Sequence, residues 1–324
     1  MKHLVSFKAS RRGAAIVVAL LLLLALALLS AACGSSSSAS SSASPAAGVS
    51  VAGVTITPDK TLEAMVPSTV KSAGVLKVAS NIPYPPFEMW VSGSSGQVTG
   101  FDYDLGQALA AKLGLKYDFL NLPFVSLIPA LQAGKGDVIL AAMVDDKARQ
   151  QAVSFVDYCN VGSVLLTLKG NPNSLTTLDS LAGKTVGAQS GTIQAQMLAA
   201  LAKKFQSEGK PTLTVLTFPQ DSDALLAVKA GKIVADYVQL PDAQYTAKTA
   251  GGGATYQVVV DPAAPSGYAP SIIGAAVVKT NTQMTDCVQK TLQGLIDDGT
   301  YTKILTKYGL EGGAVQSAQV NQGK

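Results

Sequence analysis

Hydrophobic positions follow two different patterns along this chain. Residues 14–29 form one uninterrupted apolar run, whereas from Val75 onward short apolar segments alternate with helical periodicities. Residues 102–113, for example, place their leucines on one helical face and stop at Gly114. Because strands that alternate with helices build layered sheets, the region after Val75 is predicted to be an α/β fold with a parallel-type sheet and helices on its faces.

The predicted elements cover most of this α/β region. Predicted strands cover residues 76–79, 117–120, 137–141, 164–168, 185–188, 213–218, 235–238 and 273–278. Predicted helices cover residues 102–113, 126–133, 192–205, 221–230, 241–250, 284–298 and 301–308. Residues 311–324 show no periodicity and are predicted to be a flexible, frayed tail.

An internal repeat indicates that the α/β region has two lobes. Residues 127–140 (LIPALQAGKGDVIL) and 224–237 (ALLAVKAGKIVADY) share a helix, an Ala-Gly-Lys turn and a strand, although two ordinary helix–strand units would also match. A ligand between two such lobes meets the carboxyl ends of strands and the N-termini of helices. We therefore predict one lobe over residues 75–157 plus 275–310 and a second over residues 163–269.

Charge and histidine content exclude several functions. The first 32 residues hold four of the 25 basic residues and none of the 21 acidic ones, so the rest of the chain is neutral. A nucleic-acid partner is not expected, since its binding needs a basic surface. The one histidine is His3, which leaves the folded region without Ser-His-Asp catalysis or histidine-ligated metal. No cofactor and no metal are predicted.

The first 32 residues have the features of a secretory leader. Basic residues precede the apolar run, and small residues lead to Cys33. This order resembles a bacterial lipoprotein signal, which is cleaved before a lipidated Cys33, although Ser30 stands where a leucine is usual. The alternative is an uncleaved anchor helix, because residues 13–33 are long enough to span a membrane. Both readings place the rest of the chain outside the cytoplasmic membrane.

Residues 33–74 are predicted to be a tether and a transition segment. Residues 34–44 are mostly serine, a composition that stays flexible because it cannot bury apolar surface. A lipid-anchored monomer on the outer face of the cytoplasmic membrane, at the cell surface or in the periplasm, is expected.

Four segments of the α/β region match one known family. Residues 80–88 (SNIPYPPFE), 100–105 (GFDYDL), 127–133 (LIPALQA) and 149–155 are similar to motifs of the bacterial family 3 extracellular solute-binding proteins. The resemblance covers residues 75–310 and implies the type 2 periplasmic-binding-protein fold, two α/β lobes joined by two hinge strands. It also implies a receptor, not an enzyme, that captures an amino acid or related small carboxylate and delivers it to ABC permease subunits.

By this resemblance Arg149 binds the carboxylate of the ligand, and two aromatic rings enclose the remainder. A guanidinium offers a planar fork to a carboxylate, and Arg149 is the only arginine after the leader. An exposed arginine on a short helix is the alternative. Tyr84 and Phe124 are expected to form facing walls of the pocket, while Phe87 is assigned to the core.

The resemblance assigns four further ligand-binding positions. Ala142 and Val144 lie in a loop where relatives usually have a small residue and a hydroxyl residue. The hydroxyl contact is missing here, so the backbone N–H groups of both residues would serve instead. Gln189 and Thr192 open a predicted helix, where amides and a hydroxyl either bind an anion or only cap the helix.

Two acidic positions of the family pocket are uncharged in this sequence. Asn81 and Gln239 stand where relatives usually have aspartate. A buried ammonium needs a carboxylate, which Asp242, Asp236 or Glu88 would supply. Otherwise the ligand is not a typical α-amino acid. Basic amino acids are the least expected ligands, and a carboxylate with a polar or weakly basic remainder fits better.

Two alternatives to a transport receptor remain open at this point. One is an enzyme on the same fold, similar to cyclohexadienyl or arogenate dehydratase, and the other is a sensor lipoprotein that no longer transports. Lobe closure is expected about hinges near residues 158–162 and 270–274. Cys159 at the first hinge and Cys287 in a late helix either pair as a disulfide or remain two buried thiols.

Overall fold

The computed structural model describes residues 48–92 and 95–324. The apolar run, Cys33 and the serine-rich segment lie outside these residues, so the leader, the lipid anchor and the tether remain predictions. Within the described ranges, no helix is both long and apolar enough to cross a membrane.

Strands and helices alternate through the described chain, as the sequence pattern predicts. The strands are β1 (Val49–Val51), β2 (Val54–Ile56), β3 (Val75–Ser80), β4 (Met89–Trp90), β5 (Val98–Thr99), β6 (Lys116–Asn121), β7 (Val138–Ile139), β8 (Val153–Leu168), β9 (Thr185–Gln189), β10 (Thr214–Phe218), β11 (Asp236–Gln239), β12 (Tyr256–Val259), β13 (Tyr268–Val278) and β14 (Ala314–Val320). The α-helices are α1 (Lys60–Met65), α2 (Ser68–Ala73), α3 (Phe101–Lys112), α4 (Leu127–Gln132), α5 (Ile193–Ser207), α6 (Asp221–Lys229), α7 (Leu240–Thr249), α8 (Thr282–Asp297) and α9 (Thr300–Tyr308).

One sheet of ten strands runs through the fold. Its path is β10-β9-β11-β8-β13-β7-β3-β6, and β12 and β14 also pair with β8. Pairing is parallel at both ends of the path, between β3, β6 and β7 and between β9, β10 and β11. In the middle, β8 and β13 are antiparallel. The predicted parallel-type sheet is therefore correct for the two ends and wrong for the middle, because β8 leaves the first end and β13 returns to it.

Apolar side chains form separate cores at the two ends of the sheet. The first core contains Leu76, Phe101 and Tyr301, and the second contains Val186 and Tyr237. The long strands β8 and β13 pass from one core to the other. We call the two parts the first lobe and the second lobe. The α/β fold class is confirmed, and Phe87 lies in the first core as expected.

Residues 48–74 are folded, which corrects the prediction of a transition segment for this part of residues 33–74. β1 and β2 form an antiparallel hairpin, and Val51 and Ile56 are buried in the first core. The next two helices bury further apolar residues beside α8. The local pattern did not reveal this packing, because these apolar residues find their partners on α3 and α8, far along the chain.

Residues 311–324 are also folded, which corrects the prediction of a frayed tail. After a 3-10 turn at Glu311–Gly313, β14 adds antiparallel to β8. β14 also packs against α8, whose Gln289 side chain donates to the Ala318 carbonyl (3.0 Å), so its position depends on distant contacts and not on a local apolar period. Only Ala318 of β14 is buried with the first core.

The two cysteines in the described ranges are free and buried, so the alternative of two thiols is the one observed. Cys159 lies in β8, and Cys287 packs beside Leu113 in a separate part of the first lobe.

β8 begins well before its predicted start, at Val153 instead of residue 164. Polar residues such as Asp157 interrupt the apolar pattern there, although the strand is covered on both faces.

Candidate functional site

Residues of both lobes line a partly open cavity, in which the empty space, including space open to solvent, is about 310 Å³. Ala141, Ile193 and Gln194 line it although the sequence did not assign them to the site, and so does Glu88, one of the three acids that the sequence offered for a ligand ammonium. Nine of the ten predicted ligand-binding residues also line it: Asn81, Tyr84, Phe124, Ala142, Val144, Arg149, Gln189, Thr192 and Gln239. The structure thus brings together residues that lie between positions 81 and 239 of the chain, and their binding of a ligand stays a prediction.

The loop after β3 carries the first wall of the cavity. Because β3 ends at Ser80, Asn81 emerges at the carboxyl edge of the sheet, where ligands of such folds bind. The Asn81 side chain donates to the Leu122 carbonyl (2.8 Å), and the Ile82 N–H donates to the Asn121 side chain (3.2 Å). These bonds fix the loop against the end of β6. Tyr84 follows on the same loop and reaches the cavity as predicted.

The loop after β7 carries Ala142 and Val144. Ala142 has a φ of 45°, a left-handed conformation that few residues other than glycine adopt. Its N–H donates to Asp102 (2.7 Å), which also accepts from the Tyr158 hydroxyl (2.9 Å). The Ala142 N–H is therefore already occupied, which corrects the expectation that it serves a ligand. Val144 forms a β-bridge with Ile273 of the returning strand.

Arg149 is nearly buried and touches both lobes. Its Nη1 donates to the Val144 carbonyl (2.7 Å), and its Nη2 donates across the cleft to the Gly191 carbonyl (2.9 Å). Its Nε lies 3.3 Å from Asp146, and the guanidinium stacks 5.7 Å from the centre of the Phe124 ring. The side chain is only 10% exposed, so the alternative of a solvated surface arginine does not hold.

The start of α5 supplies the facing wall from the second lobe. The Thr192 hydroxyl donates to the Gln189 carbonyl (2.7 Å) and accepts from the Ala195 N–H (3.3 Å), so it caps the helix. The Gln189 side chain donates across the cleft to the Asn81 side chain (2.7 Å). Thr192 therefore has the capping role that the sequence allowed, while Gln189 joins the two lobes.

Gln239 joins the lobes at a second point. Its side chain donates to the Ala142 carbonyl (3.0 Å), and its backbone N–H lies 3.4 Å from the Tyr84 hydroxyl. A neutral amide makes both a donor and an acceptor available here, where an aspartate would only accept. The Gln239 side-chain oxygen is buried without a hydrogen-bond partner among the described residues.

Glu88 is the acid on the cavity wall that the sequence left as one of three options. Glu88 is 1% exposed, and among the described residues its carboxyl oxygens have no partner in full hydrogen-bond geometry, although the side chains of Ser80 and Asp102 lie beside them. Burial and then the charge of Asp102 raise the pKa of Glu88 well above its usual value. Burial also raises the pKa of Asp102 to about 7. The sequence signal for Glu88 is its place after Phe87 in the motif SNIPYPPFE. Whether its side chain lines the cavity depends on the tertiary structure.

Asp242 does not line the cavity, which corrects its assignment as a ligand-binding residue. α7 begins at Leu240, and the first turn places Asp242 in the interior of the second lobe, fully buried. Asp221 and Asp236 are buried there as well. Desolvation raises the pKa of all three carboxyl groups, that of Asp221 to about 6. Their charges also raise the pKa of the nearby Tyr84 hydroxyl, after burial itself.

The lining of the cavity includes one guanidinium, that of Arg149, and one buried carboxyl group, that of Glu88. Its other lining groups are amides, a hydroxyl, two aromatic rings and small apolar side chains. Within residues 48–92 and 95–324, no group of three or more His, Cys, Asp or Glu residues is arranged to hold a metal ion. This composition suits recognition of a ligand that carries charges of both signs.

Residues 76–311 match the model of the bacterial extracellular solute-binding proteins, family 3, and the chain belongs to this family. It is similar to the arginine-binding protein ArgT of Corynebacterium glutamicum, with 28% identity over 82% of this chain and 85% of the relative. It is also similar to the lysine/arginine/ornithine-binding periplasmic protein of Escherichia coli, with 28% identity over 72% of this chain and 86% of the relative. The predicted family is confirmed.

Solved structures share the fold. An ancestral arginine-binding protein bound to arginine superposes with a TM-score of 0.64 at 32% identity, over 72% of this chain and 98% of its own. An ancestral amino acid-binding protein described as a precursor of cyclohexadienyl dehydratase superposes with a TM-score of 0.65 at 28% identity, over 77% of this chain and 99% of its own. The named relatives are binding proteins, and one structural neighbour is described as the precursor of an enzyme.

Proposed function

We propose that this protein is the extracytoplasmic receptor of an ABC importer and that it captures a basic amino acid, with arginine as the first candidate. The relatives support this choice, since they include an arginine-binding protein and a lysine/arginine/ornithine-binding protein. The chain itself forms no covalent bond to its ligand in this proposal. It acts by closing two lobes over a solute and presenting the closed form to permease subunits.

The carboxylate end of the ligand is assigned to Arg149. Its two hydrogen bonds use one N–H on Nη1 and one on Nη2, so each of these nitrogens keeps a second N–H. The proposal assigns these remaining N–H groups to the ligand carboxylate, which a guanidinium binds with two parallel hydrogen bonds. The Val144 N–H, on the same loop, is the backbone donor that remains once the Ala142 N–H is bound to Asp102.

The cationic end is assigned to Glu88, and this is the observation that carries the proposal. Glu88 is buried beside Ser80 and the acidic Asp102, and a carboxyl group in such surroundings is costly to ionise unless a cation compensates its charge. Glu88 lines the same cavity as Arg149, and Asp102 lies directly behind it. A ligand guanidinium or ammonium would remove this cost. The proposal replaces the expectation that basic amino acids are the least suitable ligands, which rested on the uncharged residues Asn81 and Gln239.

Closure is assigned to the hydrogen bonds that cross the cleft. Gln189 to Asn81, Gln239 to Ala142 and Arg149 to Gly191 each join the two lobes beside the cavity. A ligand that touches both walls adds to these bonds and favours the closed form by its differential affinity. Opening is proposed about residues 158–162 and 270–274, where the pairing of β13 with β8 shifts register.

The leader and Cys33 complete the proposal. Cleavage before Cys33 and its lipidation would anchor the protein as a monomer on the outer face of the cytoplasmic membrane, which fits an extracellular solute-binding family. Mass spectrometry of the protein purified from membranes tests this step. A mass that retains residues 1–32 without added lipid would contradict it.

The central experiment is isothermal titration with arginine, lysine, histidine, glutamine and glutamate. We expect the tightest binding for one of the three basic amino acids. Glu88→Gln is expected to weaken that binding at least ten-fold while affecting glutamine less, because only a cationic side chain interacts with the lost charge. Glu208→Gln, an exposed site, is the matched control and is expected to bind as the wild type does.

Two outcomes would overturn the proposal. Selective binding of glutamine or glutamate with no effect of Glu88→Gln would assign the receptor to neutral or acidic amino acids. Formation of phenylpyruvate from prephenate would instead favour a dehydratase, the second candidate. That candidate rests on the buried Glu88 carboxyl, whose raised pKa suits a general acid, and on the dehydratase precursor among the structural neighbours.

A further inference from the structure

Residues 314–323 form a strap that lies outside the part of the chain matched by the family model, which ends at residue 311. We call these residues the β14 strap. Its strand pairs with β8, where Ala314 lies opposite Cys159 and Val320 lies opposite Val156. The strap therefore adds an edge strand to the segment of β8 that leaves the first lobe.

Beyond the strand, specific side-chain bonds fix the strap to β8. The Asn321 side chain accepts from the Phe155 N–H (2.8 Å), and the Asn321 N–H donates to the Phe155 carbonyl (3.0 Å). The Gln322 N–H donates to the Asp157 carboxyl group (2.9 Å). These bonds direct the end of the strap away from β8 and toward the loop that precedes Arg149.

Asp145 connects the strap to that loop. One carboxyl oxygen of Asp145 accepts from the Gly323 N–H (2.7 Å), and the other accepts from the Gln150 side chain (2.7 Å). The Gln150 side chain also lies 3.3 Å from the Gly323 carbonyl. Asp145 is 1% exposed, so these donors compensate its burial. Asp145, Gln150 and Gly323 therefore form a closed hydrogen-bonded unit. Asp145 and Gln150 lie on either side of Arg149 in the sequence.

The fit at Gly323 is too tight for any side chain. A Cβ added there would lie 2.0 Å from the backbone oxygen of Asp145 and 2.6 Å from its carboxyl carbon. Backbone atoms cannot move aside as the end of a flexible side chain can. A residue larger than glycine at this position would therefore separate the strap from the loop.

The loop is also held at other points. The Asp145 N–H donates to the Ile272 carbonyl (2.9 Å), and Val144 forms its bridge with Ile273. Arg149–Gln151 is a single 3-10 turn, where Lys279 donates to the Gln150 carbonyl (2.8 Å) and Asp146 accepts from the Arg149 N–H (2.9 Å). Loss of the Gly323 contact leaves a buried Asp145 carboxyl group short of a donor. The loop would then shift to hydrate this group, and the shift would displace Arg149.

We propose that the β14 strap is a positioning element of the ligand site, in which Gly323 and Asp145 hold the loop that presents Arg149 to the ligand carboxylate. This rests on the proposed function, in which Arg149 takes that carboxylate. Gly323 and Asp145 are positioning residues, because neither lines the cavity. The ligand affinity of this protein therefore depends on a segment that the family pattern does not contain.

The test combines ligand affinity with amide hydrogen exchange of the intact protein. Gly323→Ala and Asp145→Asn are expected to raise the Kd for arginine about ten-fold, the effect of one hydrogen bond to a charged group. Both are expected to speed exchange in residues 144–151 of the ligand-free protein. Asp118→Asn, an exposed site in β6, is the control. Deletion of residues 314–324 is not the main variant, because it would also expose the first core at Ala318.

A double-mutant cycle distinguishes positioning from general destabilisation. If the strap acts through Arg149, Gly323→Ala costs little further affinity in the Arg149→Lys background, whereas additive losses in Kd would overturn the proposal. Wild-type Kd in Gly323→Ala and Asp145→Asn, or unchanged exchange in residues 144–151, would also overturn it. If the wild type binds no amino acid, the proposed function fails, and the exchange measurement alone decides whether the strap holds the Arg149 loop.

Discussion

The carboxyl group of Asp102, in the first turn of α3, accepts the N–H of Ala142 at 2.7 Å and so fixes the left-handed turn at the floor of the cavity. The same carboxyl oxygen accepts the Tyr158 hydroxyl at 2.9 Å. Asp102 thus joins α3, which carries a family motif, to the loop after β7 and to Tyr158 at the start of the first predicted hinge. Its geometry leads to the first two predictions.

Removal of the Asp102 carboxyl group is expected to destabilise the fold. Asp102→Ala leaves the buried Ala142 N–H and Tyr158 hydroxyl without their acceptor, at a cost of about 2–4 kcal/mol in the free energy of unfolding. Asp102→Asn keeps an acceptor oxygen and is expected to cost less than half as much. Urea unfolding monitored by Trp90 fluorescence measures both. Equal losses for the two variants would contradict the role given to the hydrogen bonds.

Stability is expected to fall as pH rises from about 5 to 8. Burial raises the pKa of Asp102 and of Asp157 from 3.8 to about 7, and that of Asp221 to about 6. Between the unfolded and folded values, the folded protein holds protons that the unfolded chain has released, so the free energy of unfolding decreases with pH. Melting temperatures across this range should fall by several degrees. Asp102→Asn should reduce the slope, and a melting temperature that increases with pH would refute the prediction.

Arg149→Lys is expected to weaken ligand binding about 100-fold with little change in melting temperature. A lysine ammonium reaches one carboxylate oxygen but cannot form the two parallel bonds of the guanidinium fork or stack on Phe124. Isothermal titration with arginine measures the effect. Lys135→Gln, an exposed site, should retain wild-type affinity. An Arg149→Lys variant that binds within a factor of three of wild type would remove Arg149 from the site.

Cys159 and Cys287 are expected to remain unreactive thiols in the native protein. Burial raises the pKa of Cys159 to about 12 and that of Cys287 to about 11, so almost no thiolate forms at neutral pH. In a Cys33→Ser background, a thiol reagent should therefore label both residues only after unfolding. Rapid labelling of the native protein, or a mass two hydrogens lower before reduction, would contradict the free, buried state.

The sequence by itself determined the elements whose signals are local. The leucine face of α3, the glycine stops and the apolar strands β3 and β9 are properties of neighbouring residues, and their positions were predicted within one or two residues. The family motifs likewise indicated Arg149, Tyr84 and Phe124, which meet at the cavity. These features depend on periodicity and on motifs, both of which are present in the amino-acid sequence itself.

Only the tertiary structure determined where the acidic side chains near the site lie and how the first and last strands of the described chain pack. Glu88 lines the cavity while Asp242 turns into the second lobe, because the direction of each side chain depends on how its loop or helix meets the rest of the fold. The β1–β2 hairpin and β14 were not predicted as strands, because their partners are distant and their stability comes from backbone pairing and burial against another element. Contacts between residues far apart in sequence leave no local period, so folding alone brings Gly323 to Asp145 and completes the site.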